Sequence, residues 1–353
     1  MPEKGVQREV MDRLRLLAPR NNVPLNGTFE LTYRCQLSCH HCYVDPTDPH
    51  RNEISTELWL DVLREIAGMG CLLLTLTGGE PTLHPAFPRL VEESHRLGVY
   101  LRIYTNAYDL DEDDVDFLAV NGVRHIHVSL YGPDARTHDG VTGVPGSFER
   151  TSEAIRRLRA AGITVVVGSV LLKDTFHHFA RTRRYIHGLG ACFRASTLIS
   201  PSNMGSCIPD REMLDADDLI SVGPAMFEKL SYPKLPESRD IERMMRAVPC
   251  TAGSDSFSIA PDGTVMPCLQ IRLSLGNVQR QSFRRIWNHS PPRFYLNCMR
   301  YLEVPDCLDC ANRWQCSRCA GIVLIETGSL WRSSPTTCRH TETWIKLYSS
   351  CTD

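Results

Sequence analysis

The sequence predicts an α/β fold built on six parallel strands, and three observations carry that prediction. Short runs rich in Val, Ile and Leu recur through residues 26–208. Helical patterns with an apolar stripe separate them, and turn residues such as Gly162 punctuate the junctions. Alternation of this kind gives a parallel sheet with right-handed crossovers.

The expected strands are Thr28–Thr32, Leu72–Thr77, Tyr100–Tyr104, His125–Leu130, Thr164–Leu171 and Phe193–Ile199. Each is short and apolar, as strands covered on both faces should be. After the first strand a helix starts near Ser55 and sets Leu58, Val62 and Ile66 on one face. Another runs through Phe148–Ala161 and ends at Gly162. The acidic run Asp111–Asp116 reads as the first turns of a helix, where carboxylates favour the dipole. Pattern alone leaves open whether the sheet closes on itself. Beyond residue 209 the alternation lapses into an acidic helical stretch and a connector with Pro233 and Pro236. The expected divisions are an N-terminal extension (1–25), a core (26–208), a helical connector (209–249) and a cysteine-rich domain (250–353).

Composition narrows the function classes. With 42% hydrophobic and 23% charged residues in 353, the chain has the make-up of a globular protein. A formal charge of −2 gives no global pull toward nucleic acid or an anionic membrane. Apolar runs such as Cys71–Leu76 and Ile163–Val167 are too short to span a bilayer. Arg13, Arg15 and Arg20 interrupt the N-terminal apolar residues, so no secretory signal is expected and a cytoplasmic location follows.

Fifteen cysteines do not fit an ordinary cytosolic enzyme. Disulfides are disfavoured in a reducing compartment, which leaves metal ligation as the better reading. Three thiols lie within Cys35–Cys42 and nine between Cys250 and Cys351, with only Cys71, Cys192 and Cys207 between. Two metal-rich regions therefore flank an ordinary scaffold.

The sharpest motif is Cys35-Gln-Leu-Ser-Cys39-His-His-Cys42, directly after the first strand. Three thiolates in one loop can ligate three irons of a [4Fe–4S] cube and leave the fourth open. A three-cysteine zinc site or a redox pair of Cys39 and Cys42 would use the same spacing. In the second region Cys250 precedes Gly263-Thr-Val-Met-Pro-Cys268, and Cys307-x2-Cys310-x5-Cys316-x2-Cys319 leads to Cys338. Two C-x2-C pairs are also a zinc signature, so a zinc-binding interaction protein is the non-enzyme alternative.

The cysteine loop, followed one strand later by Gly78-Gly79-Glu80-Pro81, resembles the radical S-adenosylmethionine superfamily. That resemblance implies a partial (β/α)6 TIM-type barrel. It implies that Cys35, Cys39 and Cys42 hold the catalytic [4Fe–4S] cluster, whose unique iron is chelated by the methionine end of S-adenosylmethionine. Gly78, Gly79, Glu80 and Pro81 would then receive the methionine ammonium, which suits glycine backbone and a carboxylate. His41, in the family's aromatic position, would pack on adenine with help from Tyr43. Asn106 and Ser129, at successive strand ends, would contact ribose or methionine, where parallel α/β proteins place ligands. Ordinary turn hydrogen bonding is an equal reading of both. The segment His138-Asp139-Gly140…Gly143…Gly146-Ser147-Phe148 also matches a loop common in the superfamily.

The C-terminal cysteines resemble the SPASM domain, an auxiliary-cluster module of peptide-modifying radical enzymes. The two resemblances together cover roughly residues 26–340. They imply one auxiliary cluster on Cys250, Cys268 and Cys319 and a second on Cys307, Cys310, Cys316 and Cys338. One departure is visible: the family places three residues where Cys316 and Cys319 enclose two. No cysteine stands just upstream of Cys250 as a fourth ligand, so Cys207, Cys298, an oxygen ligand or substrate would complete that site.

The chemistry implied is reductive cleavage of S-adenosylmethionine to a 5′-deoxyadenosyl radical that abstracts hydrogen from an unactivated C–H bond. A ribosomally made peptide is the leading substrate, crosslinked, thioether-bridged or epimerised. Haem side-chain processing or sugar epimerisation is the small-molecule alternative. Leu269 stands where sulfatase-maturing relatives carry a catalytic aspartate, which argues against that activity. An external electron donor of flavodoxin or ferredoxin type is expected. Only 27 residues precede the first strand, so a leader peptide would need a separate binding protein. Cys207 is a candidate hydrogen donor, Cys298 a candidate ligand or structural thiol, and Cys351 has no assigned role.

Overall fold

The strand that joins the two parts of the sheet is β1 (Asn26–Thr32), which pairs with Leu73–Gly78 on one side and Ser256–Ile259 on the other. In a computed structural model describing residues 4–45, 47–204, 212–227, 250–316 and 318–352, a helix α1 (Lys4–Leu17) leads into it. There follow α2 (Thr56–Gly68), β2 (Leu73–Gly78), α3 (Phe87–Arg96), β3 (Tyr100–Thr105), α4 (Glu112–Val120) and β4 (His125–Ser129). Then come α5 (Ala135–Thr142), α6 (Ser147–Ala160), β5 (Thr164–Val170), α7 (Phe179–Gly188) and β6 (Cys192–Ser196). β1 to β6 pair in sequence order and in parallel, as expected of the α/β reading, to form a six-stranded partial barrel.

Local chemistry explains the boundaries. Ser55 caps α2 by accepting from the Leu58 N–H, and Asp111 with Asp114 forms a capping box at α4. The acidic run therefore lies at a helix start, as the dipole requires. β6 stops at Ser196, short of the expected Ile199. It is an edge strand, and its one neighbour, β5, pairs no further than Val170.

Phe29, Leu31, Leu74, Leu76, Ile103, Ile126, Val128, Val165 and Val167 pack into one core beneath the helices. Trp59 of α2, with none of its surface exposed, sits 4.7 Å ring to ring from Phe29. Because strand side chains alternate, Glu30, Arg102, Tyr104, His127, Ser129 and Arg194 lie on the opposite, concave face.

The sheet continues past β1. After α8 (Ala216–Phe227), β7 (Ser256–Ile259) adds in parallel to β1, and β8 (Thr264–Met266) and β9 (Gly276–Asn277) follow antiparallel. α9 (Phe283–His289) packs on α2: the Glu65 carboxylate accepts from the Phe283 and Arg284 N–H groups at 2.8 and 3.0 Å. α10 (Pro291–Cys298), α11 (Pro305–Leu308), α12 (Ala320–Thr327) and α13 (Pro335–Thr352) complete the chain, with α13 against α8. Among the described residues no helix is long and apolar enough to cross a membrane. Cys207 and most of the Pro-containing connector lie outside the described residues.

Candidate functional site

The cysteine loop leaves the end of β1 and is pinned from three directions. Ser38 N–H donates to the Thr142 carbonyl at 2.8 Å, and His40 N–H to that of Val141 at 3.3 Å. Both acceptors end α5, whose Asp139 carboxylate accepts from Gly146 N–H, Ser147 hydroxyl and Phe148 N–H at 2.7–2.8 Å. The segment around His138 thus braces the loop through backbone while Asp139 caps α6.

Gly78 and Gly79 supply the second constraint. A Cβ at Gly78, whose φ is +134°, would lie 2.2 Å from the Thr32 carbonyl oxygen. One at Gly79 would lie 2.4 Å from that of Arg34. Gly79 and Glu80 N–H groups donate to those same two oxygens at 2.7 and 2.8 Å. The close approach expected of these glycines is made, within the chain itself, to the backbone entering the cysteine loop.

Glu80 is the third. It is 1% exposed, and its carboxylate accepts from the Thr82 N–H and hydroxyl, the Thr105 hydroxyl and the Asn106 N–H. Burial raises its pKa, and these hydrogen bonds oppose the rise. The Asn106 side-chain amide reaches Cys35 Sγ at 3.5 Å and Gln36 Oε1 at 3.3 Å. The ends of β2 and β3 are therefore tied to the first cysteine. Pro81 is buried at the turn.

Cys35, Cys39 and Cys42 share this mouth of the barrel. Burial, followed by the charges of Cys42 and Cys35, pushes the Cys39 thiol up to about 12. Burial raises Cys35 and Cys42 as well. Burial and then neighbouring thiol charge hold up Cys35 and Cys39, and three such thiols are a donor set completed by a cationic centre, a chemistry that fits an iron–sulfur cluster. Among the described residues no three His, Cys, Asp or Glu side chains close around a single ion position; the thiols act on one another at longer range.

His41 is largely buried with its Nδ1 unpartnered, and burial, then His40, lowers its pKa to about 4. Its ring meets Tyr131 edge-on at 4.7 Å. Tyr131, which sequence reasoning missed, packs in one apolar cluster with Cys39, donates its N–H to His138 Nδ1 at 3.1 Å and stacks on that ring at 5.7 Å. An isolated Tyr after a strand carries no local signal.

Tyr43 turns away from this group into a buried polar network. Its hydroxyl donates to Glu30 at 3.3 Å, and Tyr33 does so at 3.0 Å. Arg272, four residues past Cys268, binds the carboxylates of Glu30 at 2.9 Å and Asp48 at 3.0 Å and the Tyr33 hydroxyl at 2.7 Å. Deeper on the concave face Tyr104 and His127 lie 4.4 Å apart. Burial, then the charges of Arg102 and Arg194, lowers the His127 pKa to about 4.

Among the C-terminal thiols, electrostatic influence runs within two groups. Cys250, Cys268 and Cys319 act on one another electrostatically, as do Cys307, Cys310, Cys316 and Cys338. Burial pushes the Cys268 thiol up to about 12. Cys298 is exposed at the end of α10 and belongs to neither group.

Residues 29–186 match the family described as the Radical SAM superfamily, and residues 250–320 match SPASM, an iron–sulfur cluster-binding domain. The chain is similar to the sporulation killing factor maturation protein SkfB of Bacillus subtilis, 28% identical over 75% of this chain and 65% of that protein. It thus spans just under two thirds of that relative. The AdoMet-dependent heme synthase of Methanosarcina barkeri is 25% identical over 89% of this chain and 96% of its own. In fold the chain resembles SuiB of Streptococcus suis bound to its precursor peptide SuiA. The TM-score is 0.71 at 18% identity, over 96% of this chain and 82% of that one.

Proposed function

From the premise that the chain belongs to the radical S-adenosylmethionine superfamily and carries a SPASM domain, we propose that it modifies a ribosomally made peptide by C–H abstraction. S-adenosylmethionine bound at the cluster supplies the chemistry, a 5′-deoxyadenosyl radical. The observation that carries the reading is the convergence on one cysteine loop of Glu80, Asn106 and Tyr131 from three successive strand ends. In this reading Cys35, Cys39 and Cys42 hold the catalytic cluster. Gly78, Gly79, Glu80 and Pro81 shape the methionine site, and His41, Asn106 and Ser129 flank adenine and ribose.

Cys250, Cys268 and Cys319 would hold one auxiliary cluster, and Cys307, Cys310, Cys316 and Cys338 the other. Peptide is favoured as substrate because SkfB is named a maturation protein and SuiB is described with a precursor peptide. The heme synthase match, which runs nearly end to end in both chains, supports a small-molecule substrate as the second reading. An external flavodoxin- or ferredoxin-type donor would deliver the electron.

The test is anaerobic reconstitution followed by incubation with S-adenosylmethionine and dithionite. The wild-type chain should hold about 12 irons if all three clusters are cubane and release 5′-deoxyadenosine. Replacing Cys35, Cys39 and Cys42 with Ala should abolish that release while the C-terminal clusters still absorb. Persistent cleavage, or four irons with zinc, would refute the reading. Mass spectrometry of a short peptide encoded beside the gene, set against a haem precursor, separates the two substrates.

A further inference from the structure

Arg318 stands in the chain directly between Cys316 of one C-terminal thiol group and Cys319 of the other. It is 7% exposed. Its Nη2 donates to the Leu330 carbonyl and, at 2.9 Å, to that of Arg332, which fixes the guanidinium plane. Nε and Nη1 are buried without a partner. Among the described residues no carboxylate pairs with Arg318; the nearby Asp306 pairs with Arg332 instead.

Burial of charged N–H groups without acceptors is unfavourable, so these donors face a group that completes them. Two thiol groups lie within electrostatic reach. Burial raises Cys250 and Cys307, one from each group, and in both the Arg318 charge opposes that rise. Tyr301 marks the same seam, since Cys316, Arg318, Cys307 and Cys250 all act on its hydroxyl. The chain thus holds a buried guanidinium between one thiol of each group, Cys316 and Cys319, with Nε and Nη1 free.

We infer that Arg318 donates its free N–H groups to the sulfurs of both auxiliary clusters at once and thereby raises both reduction potentials. The inference rests on reading the two thiol groups as iron–sulfur sites. Net charge and hydrogen bonds to sulfur are what set cluster potentials, and a nearby cation favours the more negative, reduced state. Arg318 is a positioning and tuning residue that links two electron carriers.

The test uses Arg318→Met and Arg318→Lys in the full chain, reconstituted anaerobically. Iron and sulfide are assayed first, and an EPR-monitored redox titration follows. In iron-replete Arg318→Met both auxiliary signals should move to lower potential, by at least a tenfold change in the reduced-to-oxidised ratio at fixed poise (about 59 mV for a one-electron couple). The signal from the cluster at Cys35, Cys39 and Cys42 should stay put. Arg318→Lys, which keeps the charge without the planar fork, should recover part of both shifts. Unmoved potentials in iron-replete Arg318→Met, or movement of one cluster alone, overturn the inference. Should Arg318→Met lose its iron, Arg318→Lys decides: an intermediate shift of both signals supports the role, and wild-type potentials refute it. A wild-type chain without auxiliary clusters would instead sink the underlying iron–sulfur reading, and this inference with it.

Discussion

The Asn106 main-chain N–H donates to Glu80 Oε2 at 2.8 Å, and the Asn106 side chain continues to Cys35 Sγ. A buried carboxylate at the end of β2 is thereby coupled through the end of β3 to the first cysteine. Glu80→Gln keeps the shape but turns an amide N–H toward donors on Thr82, Thr105 or Asn106. Leaving one of these buried donors unpaired costs about 1–3 kcal/mol. The expected outcome is roughly tenfold weaker retention of S-adenosylmethionine, measured by equilibrium dialysis of the iron-loaded chain. Unchanged affinity would make Glu80 a brace of the turn and nothing more.

Gly79→Ala tests the same junction from the backbone. Its new Cβ would sit 2.4 Å from the Arg34 carbonyl oxygen, one residue before Cys35, and no side chain can rotate away to make room. Arg34 and Cys35 must shift. The variant should lose about four irons while the C-terminal clusters remain, as iron analysis with a visible spectrum will show. Full iron content would mean that the loop absorbs the methyl group.

Arg272→Met would leave Glu30, wholly buried on the concave face, without its counter-charge. Breaking one side of a buried ion pair costs about 3–5 kcal/mol. A clear drop in the denaturant midpoint is therefore expected. Adding Glu30→Gln should recover part of it, because the uncompensated charge goes with the second change. Independent, additive losses would show that Arg272 acts through packing instead.

How much of this was legible in the sequence follows from the range of each signal. The six strands were, because short runs rich in Val, Ile and Leu alternate with helical patterns; yet β3, β4 and β5 bury only alternate residues and are not covered on both faces. The cysteine spacings were, because spacing is a local property. The pairing of β7 with β1 was not: Ser256–Ile259 is a four-residue run whose partner lies far back in the chain. Arg272, Arg318 and Tyr131 were missed for the same reason, since each acts across the fold and none sits in a periodic pattern. Gly78 and Gly79 were read as sites of close approach to a methionine ammonium. What sequence could not say is that the approaching backbone belongs to Thr32 and Arg34.

The final prediction concerns pH and the contact between the two halves. His50, in the segment after the cysteine loop, meets Asp262 of the β7–β8 turn at 2.8 Å. The hydrogen bond to Asp262, against some desolvation, raises the His50 pKa above its ordinary 6.5. Burial opposes ionisation of Asp262, but its bonds to His50 and Thr264 prevail and lower its pKa below 3.8. The signs then fix the window. A histidine with a raised folded pKa contributes stability that is complete below 6.5 and lost as pH climbs through the raised value. The aspartate's share is present above 3.8 and lost only as pH falls through its depressed value. Between those limits the pair is charged and holds the turn against the loop. His50→Gln removes the titration and keeps a hydrogen-bonding side chain. The difference in melting temperature between wild type and His50→Gln should therefore be largest in mildly acid buffer and shrink as pH passes above neutrality. Thermal unfolding of the iron-loaded chain across that range measures it, and a difference that stays constant with pH would show that His50 is not protonated in the pair.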